Sequence, residues 1–282
     1  VHPASGASAA VIVWPDILGL RPAFRQMGKR LAEAGYAVLV INPFYRTQKA
    51  PTAPEKASFD DPETRKQLMA LRGTLSPATA RTDAQAFIAW LDSQAAVDTK
   101  RKVGTTGYCM GGPLVFETAA VLPERVGAGA TFHAGGLVTD KPDSPHLLVP
   151  KMRAHFLIAI AENDHEKQPE AKGVLVDAFA KAGLPAEIEV YAGTLHGWCP
   201  PDSPVYDEAQ AERMYAAPPH GRLATLGTCG NHEYGPRWAV PAIADRFVAI
   251  AEAGGIRMLS NAVADVEGLQ IVGLDDLWGG RF

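Results

Sequence analysis

A cysteine flanked by glycines is the clearest chemistry-bearing feature of this sequence. Residues 107–112 read Gly-Tyr-Cys-Met-Gly-Gly, with Cys109 at the third position. A strand-like run precedes the segment, and a helical pattern with Pro113 in its first turn follows it. This order of strand, G-x-C-x-G and helix predicts a nucleophile elbow with cysteine in the serine position. The alternative is a buried structural cysteine in a glycine-rich turn.

The flanking residues favour a reactive thiol. Glycines at positions 107 and 111 lack the Cβ atoms that would collide across so sharp a turn. The N-terminus of the following helix points free N–H groups and its positive dipole end at the sulfur of Cys109, which favours the thiolate. A thiolate in this place would act as a nucleophile.

Two more residues are placed to complete a catalytic set. Asp164 follows a predicted strand over residues 155–161, and His196 follows one over 186–191. The carboxyl ends of parallel strands are where open α/β sheets hold their active sites. The order Cys109, Asp164, His196 is the nucleophile–acid–base order of α/β-hydrolases, in which the carboxylate fixes the imidazole tautomer. Taken singly, Asp164 is as well explained as a solvated loop acid, and His196 also fits a structural turn.

The elements that position these residues alternate between strands and helices up to about residue 216. This pattern predicts an α/β fold with a mostly parallel sheet and helices on both of its faces. The predicted strands lie over residues 9–14, 36–41, 102–106, 126–132, 155–161 and 186–191.

Composition narrows the function classes. The 282 residues are 47% hydrophobic and carry a net charge of -4, so no basic surface indicates a nucleic-acid partner. The three cysteines, Cys109, Cys199 and Cys229, are too few for a disulfide framework and suit a reducing compartment. No apolar run reaches the length of a membrane span. We expect a cytoplasmic enzyme with a small-molecule substrate, no cofactor, and neither nucleic acid nor membrane as a partner.

Four motifs together resemble the dienelactone hydrolase family, whose members are α/β-hydrolases that open enol-lactones and related esters. The motifs occur in family order at residues 14–21, 107–112, 161–164 and 196–198, and the resemblance covers about residues 1–216. It implies Cys109 as nucleophile, His196 as base and Asp164 as orienting acid. The function it implies is hydrolysis of small esters or lactones of the carboxymethylenebutenolidase type. It also implies two further N-terminal strands that precede the first strand of this chain.

The resemblance extends to the groups around the nucleophile. It implies an oxyanion hole built from the backbone N–H groups of Met110 and Ile17. In the family an acidic residue of the same loop holds the thiol in its resting state, and here that position is Asp16, where the dienelactone hydrolases proper carry Glu.

Five side chains are candidate substrate contacts at the rim of the predicted site. Arginine can bind a substrate carboxylate through two hydrogen bonds, although each of these arginines also fits a solvated helix surface. The histidine among them also fits a plain turn. Cys199 has no assigned base and is predicted as a rim residue. The five candidates are Arg21, Arg81, Tyr108, His133 and Trp198.

Residues 217–282 resemble a fragment of a calcineurin-like metallophosphoesterase, chiefly through Gly-Asn-His-Glu at 230–233. In that family the asparagine ligates a metal and the histidine assists phosphoryl transfer. The remaining ligand motifs of a two-metal site do not occur in this chain, so we expect no metal at Asn231 or His232. A metal-dependent phosphoesterase is the alternative function.

Overall fold

The structure is a computed structural model that describes most of the chain. It describes residues 1–4, 6–54 and 57–216, and in the C-terminal part residues 226–227, 245–246, 248–249, 251–252, 256–259, 262–266 and 269–273. The chain divides into two units, Val1–Met214 and Tyr215–Phe282. No helix among these described residues has the length and apolar character needed to cross a membrane.

Six strands of the first unit form one sheet in which every neighbouring pair is parallel, which confirms the predicted fold class. The strands are β1 (Ala10–Trp14), β2 (Ala37–Val40), β3 (Val103–Tyr108), β4 (Val126–Phe132), β5 (His155–Ala161) and β6 (Ala186–Tyr191). The order across the sheet is β2-β1-β3-β4-β5-β6, so β3, the strand before Cys109, is an interior strand.

Helices connect these strands as the pattern predicts, with two additions. A short helix, α5, begins directly after β5, and a 3₁₀ helix, Pro145–Lys151, lies between β4 and β5. Asp164 therefore lies on a helix and not in a loop. The helices are α1 (Pro22–Glu33), α2 (Pro62–Arg72), α3 (Pro77–Asp92), α4 (Gly111–Val121), α5 (Glu162–Lys167), α6 (Glu170–Ala182) and α7 (Glu208–Ala216).

Aromatic side chains cover both faces of the sheet. On one face Phe156 of β5 packs against Phe116 of α4 and Phe179 of α6, with ring centroids 5.0 and 5.1 Å apart. Side chains alternate between faces along a strand, so Tyr108 and Phe132, whose rings stack at 5.2 Å, lie on the other face. Burial on both faces explains why the interior strands β1 and β5 are nearly continuous apolar runs.

The described strands of the second unit form two short pairs. β7 (Leu226–Gly227) pairs in parallel with β8 (Arg257–Met258), and β9 (Ala262–Val266) pairs antiparallel with β10 (Leu269–Gly273). Residues 230–233, which include Asn231 and His232, lie outside the described residues. The assignment of residues 217–282 to a metallophosphoesterase fragment therefore stays a prediction.

Three backbone segments approach closely where β3 turns into α4. A Cβ atom on Gly107 would lie 2.3 Å from the carbonyl oxygen of Gly111. A Cβ atom on Gly111 would lie 2.3 Å from the carbonyl oxygen of Trp14, the last residue of β1. Because backbone atoms cannot move aside as a flexible side chain can, both positions require glycine.

We expect Gly111→Ala to lower the free energy of unfolding by about 1–3 kcal/mol, because the methyl group overlaps the β1 backbone. The matched control is Gly173→Ala in α6, where a Cβ atom meets nothing within 4 Å. That change should raise stability by roughly 0.5–1 kcal/mol through helix propensity. Urea unfolding followed by tryptophan fluorescence measures both, and equal effects of the two substitutions would contradict the close approach.

Candidate active site

Cys109 lies at the tip of the turn between β3 and α4. Its φ angle is 51°, a left-handed conformation that is unfavourable for a residue with a side chain. Its N–H donates to the carbonyl oxygen of Phe132 at 3.1 Å, which fixes the turn against the end of β4. The residue is partly exposed and lies at the carboxyl edge of the sheet.

His196 lies beside both of the other predicted triad residues. Its Nδ1 is 2.6 Å from Oδ2 of Asp164, and Cys109 is near enough to raise the pKa of its ring. The side chains of His196 and Asp164 are 33% and 18% exposed, so solvent reaches the histidine more than its carboxylate. The structure thus brings together the three residues that the sequence places 55 and 32 positions apart along the chain.

Two residues next to Asp164 hold the loop that carries His196. The side chain of Asn163 accepts a hydrogen bond from the His196 N–H at 2.8 Å, and the carboxylate of Glu162 accepts one from the Gly193 N–H at 2.9 Å. The hydroxyl of Thr194 accepts the Glu162 N–H at 3.3 Å. Sequence reasoning missed these contacts, although Glu162 and Asn163 belong to the motif that contains Asp164.

The environment of His196 strongly favours its protonated form. Burial disfavours the charge, but hydrogen bonds to Asp164 and Cys109 and the charges of both groups outweigh it and raise the pKa of His196 to about 10. His196 is therefore an imidazolium at neutral pH. An imidazolium in contact with sulfur stabilises a thiolate, the form in which cysteine attacks.

The backbone N–H groups of Met110 and Ile17 lie near the elbow. Among the described residues, neither the Met110 nor the Ile17 N–H donates to a protein acceptor. The start of α4 lies against the end of β1 through the close approach of Gly111 to Trp14 and Pro15. This contact brings the loop that carries Ile17 to the helix that begins beside Met110.

Asp16 is bound in an ion-pair network. Its carboxylate accepts two hydrogen bonds from Arg21, at 2.7 and 3.0 Å, and one from the Leu18 N–H at 2.9 Å. Arg21 also donates to both carboxylate oxygens of Asp202, at 2.7 and 2.9 Å. Burial raises the pKa of Asp16 against the opposing effect of Arg21. The alternative interpretation of Arg21 as a solvated helix-surface residue is wrong, since its side chain is 11% exposed.

Three of the predicted substrate contacts lie together in an aromatic cluster. Tyr108, His133 and Trp198 are each at most 2% exposed. The Trp198 ring stacks on Tyr191 at 5.1 Å, and the His133 ring lies 5.2 Å from that of His196. Burial and the His196 charge hold the pKa of His133 well below its ordinary value, so its imidazole is neutral. The interpretation of His133 as a plain turn histidine does not describe this buried position.

Arg81 is the remaining candidate, and it forms an ion pair with Glu117 at 2.9 Å. Glu117 is almost fully buried on α4, and burial raises its pKa against the opposing effect of Arg81. Glu117 also lines a cavity that reaches the elbow at Met110. The other residues that line this cavity are Arg72, Leu75, Ser76, Pro77, Pro113, Leu114, Asp143 and Pro145.

Cys199 differs from Cys109 in its surroundings. The prediction of a rim position is wrong, because the side chain is 2% exposed and burial raises the pKa of its thiol well above the ordinary value. Within the described part of the chain, no cluster of three or more His, Cys, Asp or Glu side chains has the arrangement of a metal site.

Comparison with known proteins identifies the family of this chain. The profile of the Dienelactone hydrolase family matches residues 1–218. This chain belongs to the dienelactone hydrolase family. Like its relatives, this family member is a hydrolase that acts on ester or lactone bonds.

Two relatives and one solved structure resemble this chain over most of its length. The carboxymethylenebutenolidase of Rhodococcus opacus is 27% identical over 208 residues, which cover 69% of this chain and 71% of the relative. Carboxymethylenebutenolidase 1 of Cupriavidus pinatubonensis is 25% identical, covering 64% of this chain and 71% of that protein. A crystal structure described as a dienelactone hydrolase of Klebsiella pneumoniae shares the fold, with a TM-score of 0.64 at 22% identity, over 76% of this chain and 87% of that one.

We expect Asp164→Asn to lower the pKa of His196 from about 10 towards the ordinary 6.5, because the neutral amide no longer stabilises the imidazolium. An NMR titration of the His196 ring measures the change. The control is Lys167→Gln, which removes a 69% exposed ammonium 3.7 Å from the other Asp164 oxygen. An unchanged titration in Asp164→Asn would contradict the contact.

The raised pKa of His196 also makes stability depend on pH. A histidine whose folded pKa is raised stabilises the fold in full below its unfolded pKa, and this stabilisation is lost as the pH rises through the folded pKa. We therefore expect the stability difference between the wild type and His196→Gln to shrink between pH 6.5 and pH 10. Urea midpoints across this range measure it, and a difference that grew with pH would refute the assignment.

Proposed function

We propose that this family member hydrolyses small esters or lactones through a Cys109–His196–Asp164 triad. The observation that carries the proposal is the position of His196, whose Nδ1 lies 2.6 Å from the Asp164 carboxylate and whose pKa the neighbouring Cys109 raises. The left-handed Cys109 at the end of an interior strand supports its role as nucleophile. The carboxymethylenebutenolidase relatives support the substrate class.

The proposed reaction begins with attack on the substrate. The Cys109 thiolate attacks the carbonyl carbon, and the negative charge that develops on the carbonyl oxygen is stabilised by the Met110 and Ile17 N–H groups. The tetrahedral intermediate collapses as the bond to the leaving oxygen breaks. The His196 imidazolium donates its proton to that oxygen, which leaves as an alcohol or enol and leaves Cys109 as a thioester.

Water completes the cycle. Neutral His196 takes a proton from water while the hydroxide attacks the thioester carbon. The second tetrahedral intermediate expels the Cys109 thiolate, and the carboxylic acid departs. The cycle thus returns the proton to His196 and frees the sulfur of Cys109. Asp164 holds the His196 ring in one orientation throughout and stabilises its charge.

The other predicted roles remain part of the proposal. Asp16 as the resting-state acid would act from a carboxylate that Arg21 and Leu18 hold through hydrogen bonds. Substrate contact is proposed for Arg81, whose partner Glu117 lines the cavity beside Met110. Contact by the other four candidates stays a prediction from the sequence.

The location and domain assignments belong to the proposal as well. We place the enzyme in the cytoplasm because Cys109 and Cys199 are free thiols. Residues 1–216 are proposed as the catalytic domain, to which residues 217–282 contribute no triad group. The metal-dependent phosphoesterase alternative rests on residues 230–233 alone, and the comparisons give it no support.

We expect Cys109→Ala to lower kcat on a panel of small esters and lactones by about a thousandfold or more, because the nucleophile is lost. The matched control is Cys199→Ala, which removes a buried thiol and should retain activity. Iodoacetamide should alkylate Cys109 faster than Cys199, whose pKa is raised. Full activity in Cys109→Ala, or activity abolished by a chelator but unaffected by alkylation, would overturn the proposal.

A further inference from the structure

His133 shares an unusual backbone conformation with Cys109. They are the two non-glycine residues with positive φ in the described part of the chain, at 41° and 51°. Each directly follows the end of its strand, and the last residues of these strands, Tyr108 and Phe132, are paired neighbours. The N–H of Cys109 donates to the Phe132 carbonyl, and that of His133 donates to the Ala159 carbonyl. The same strained turn therefore occurs side by side at the active edge of the sheet.

Ordinary structural roles do not explain a histidine at this position. The His133 side chain is 0% exposed, and within the described residues neither ring nitrogen has a hydrogen-bond partner. A buried polar group without a partner destabilises a fold, as does a left-handed residue with a branched or bulky side chain. Phenylalanine at this position would remove the buried nitrogens without partners. Glycine would remove the cost of the left-handed backbone. Costs of this kind are typical of residues held in place for function.

The His133 ring contacts the ring of His196. The two centroids are 5.2 Å apart, with the ring planes at 68°. The rings of Trp198 and Tyr108 hold His133 from other sides, at 6.2 and 6.1 Å. Asp164 binds the His196 ring at Nδ1, and the ring can tilt about that contact. The His133 ring packs at 68° against the His196 ring and so opposes this tilt.

We propose that His133 is a positioning residue that holds the His196 ring in the plane from which it reaches both Asp164 and Cys109. The proposal rests on the proposed function of His196 as the base. The role requires an uncharged aromatic ring, because a second positive charge would repel the imidazolium. The buried, neutral state of His133 meets that requirement. Because the backbone of His133 is left-handed, its side chain does not follow the face alternation of β4 and lies towards His196.

The test compares His133→Asn with His133→Phe. Asparagine tolerates the left-handed conformation but removes the ring, whereas phenylalanine keeps an uncharged ring of similar shape. We expect His133→Asn to lower kcat about tenfold or more with KM within about threefold, because misorientation of a catalytic group slows chemistry more than binding. His133→Phe should restore kcat to within about threefold of the wild type. If His133 had only a structural role, its replacement would not lower kcat while KM stayed nearly unchanged.

A second readout does not depend on turnover. The rate of Cys109 alkylation by iodoacetamide reports the contact between His196 and the sulfur, and we expect it to fall in His133→Asn and recover in His133→Phe. If His133→Asn does not fold, as judged by circular dichroism, His133→Gly replaces it, since glycine adopts the same backbone conformation.

The outcomes separate the two proposals. Wild-type kcat and alkylation in the ring-less variant would overturn the positioning role. So would a His133→Phe variant as impaired as His133→Asn, because the ring nitrogens and not the ring would then be needed. Failure of the proposed function would instead appear as activity retained in Cys109→Ala, whatever the His133 variants show.

Discussion

The meeting of three backbones at the elbow is the constraint on which the site depends. Because Gly107 and Gly111 lack Cβ atoms, the end of β3 and the start of α4 can approach closely. Gly111 also contacts the end of β1. Cys109 adopts its left-handed conformation within this turn, and the same contact brings the loop of Ile17 to the helix that starts after Met110. One packing contact thus places the proposed nucleophile and the proposed oxyanion donors.

The second half of the site is organised by hydrogen bonds and not by packing. Asn163 and Glu162 fix the backbone of the His196 loop, and Asp164 fixes its ring, so three consecutive residues of α5 control one histidine. Burial alone would make His196 neutral. The hydrogen bonds to Asp164 and Cys109 reverse this preference. The partners of His196 therefore set its protonation state. This state depends on the folded chain holding those partners in place.

The sequence predicts the sheet and the strand-end positions of the proposed triad residues well, because both depend on local sequence patterns. Strands β4, β5 and β6 have the predicted bounds, and Cys109, Asp164 and His196 each follow a recognisable strand end. The contacts that modify these residues are not local. From the sequence, Arg21 fits a helix-surface residue, and only the structure shows Asp202 beside it. The role of Asn163 likewise becomes visible only through its hydrogen bond with the His196 N–H. A period-two or helical pattern carries no information about partners from distant segments, so such roles require the structure.

The double ion pair of Arg21 has a consequence for how the enzyme is assembled. Arg21 and Asp202 are separated by 181 positions, and Arg21 joins the loop after β1 to the loop that follows His196. Contacts between such distant segments close only after the intervening chain has collapsed, since loop closure carries an entropy cost that grows with length. The Arg21–Asp202 ion pair is therefore a contact that only the collapsed chain can make. Its formation reports that two distant segments of the first unit have met, which secondary structure alone does not report.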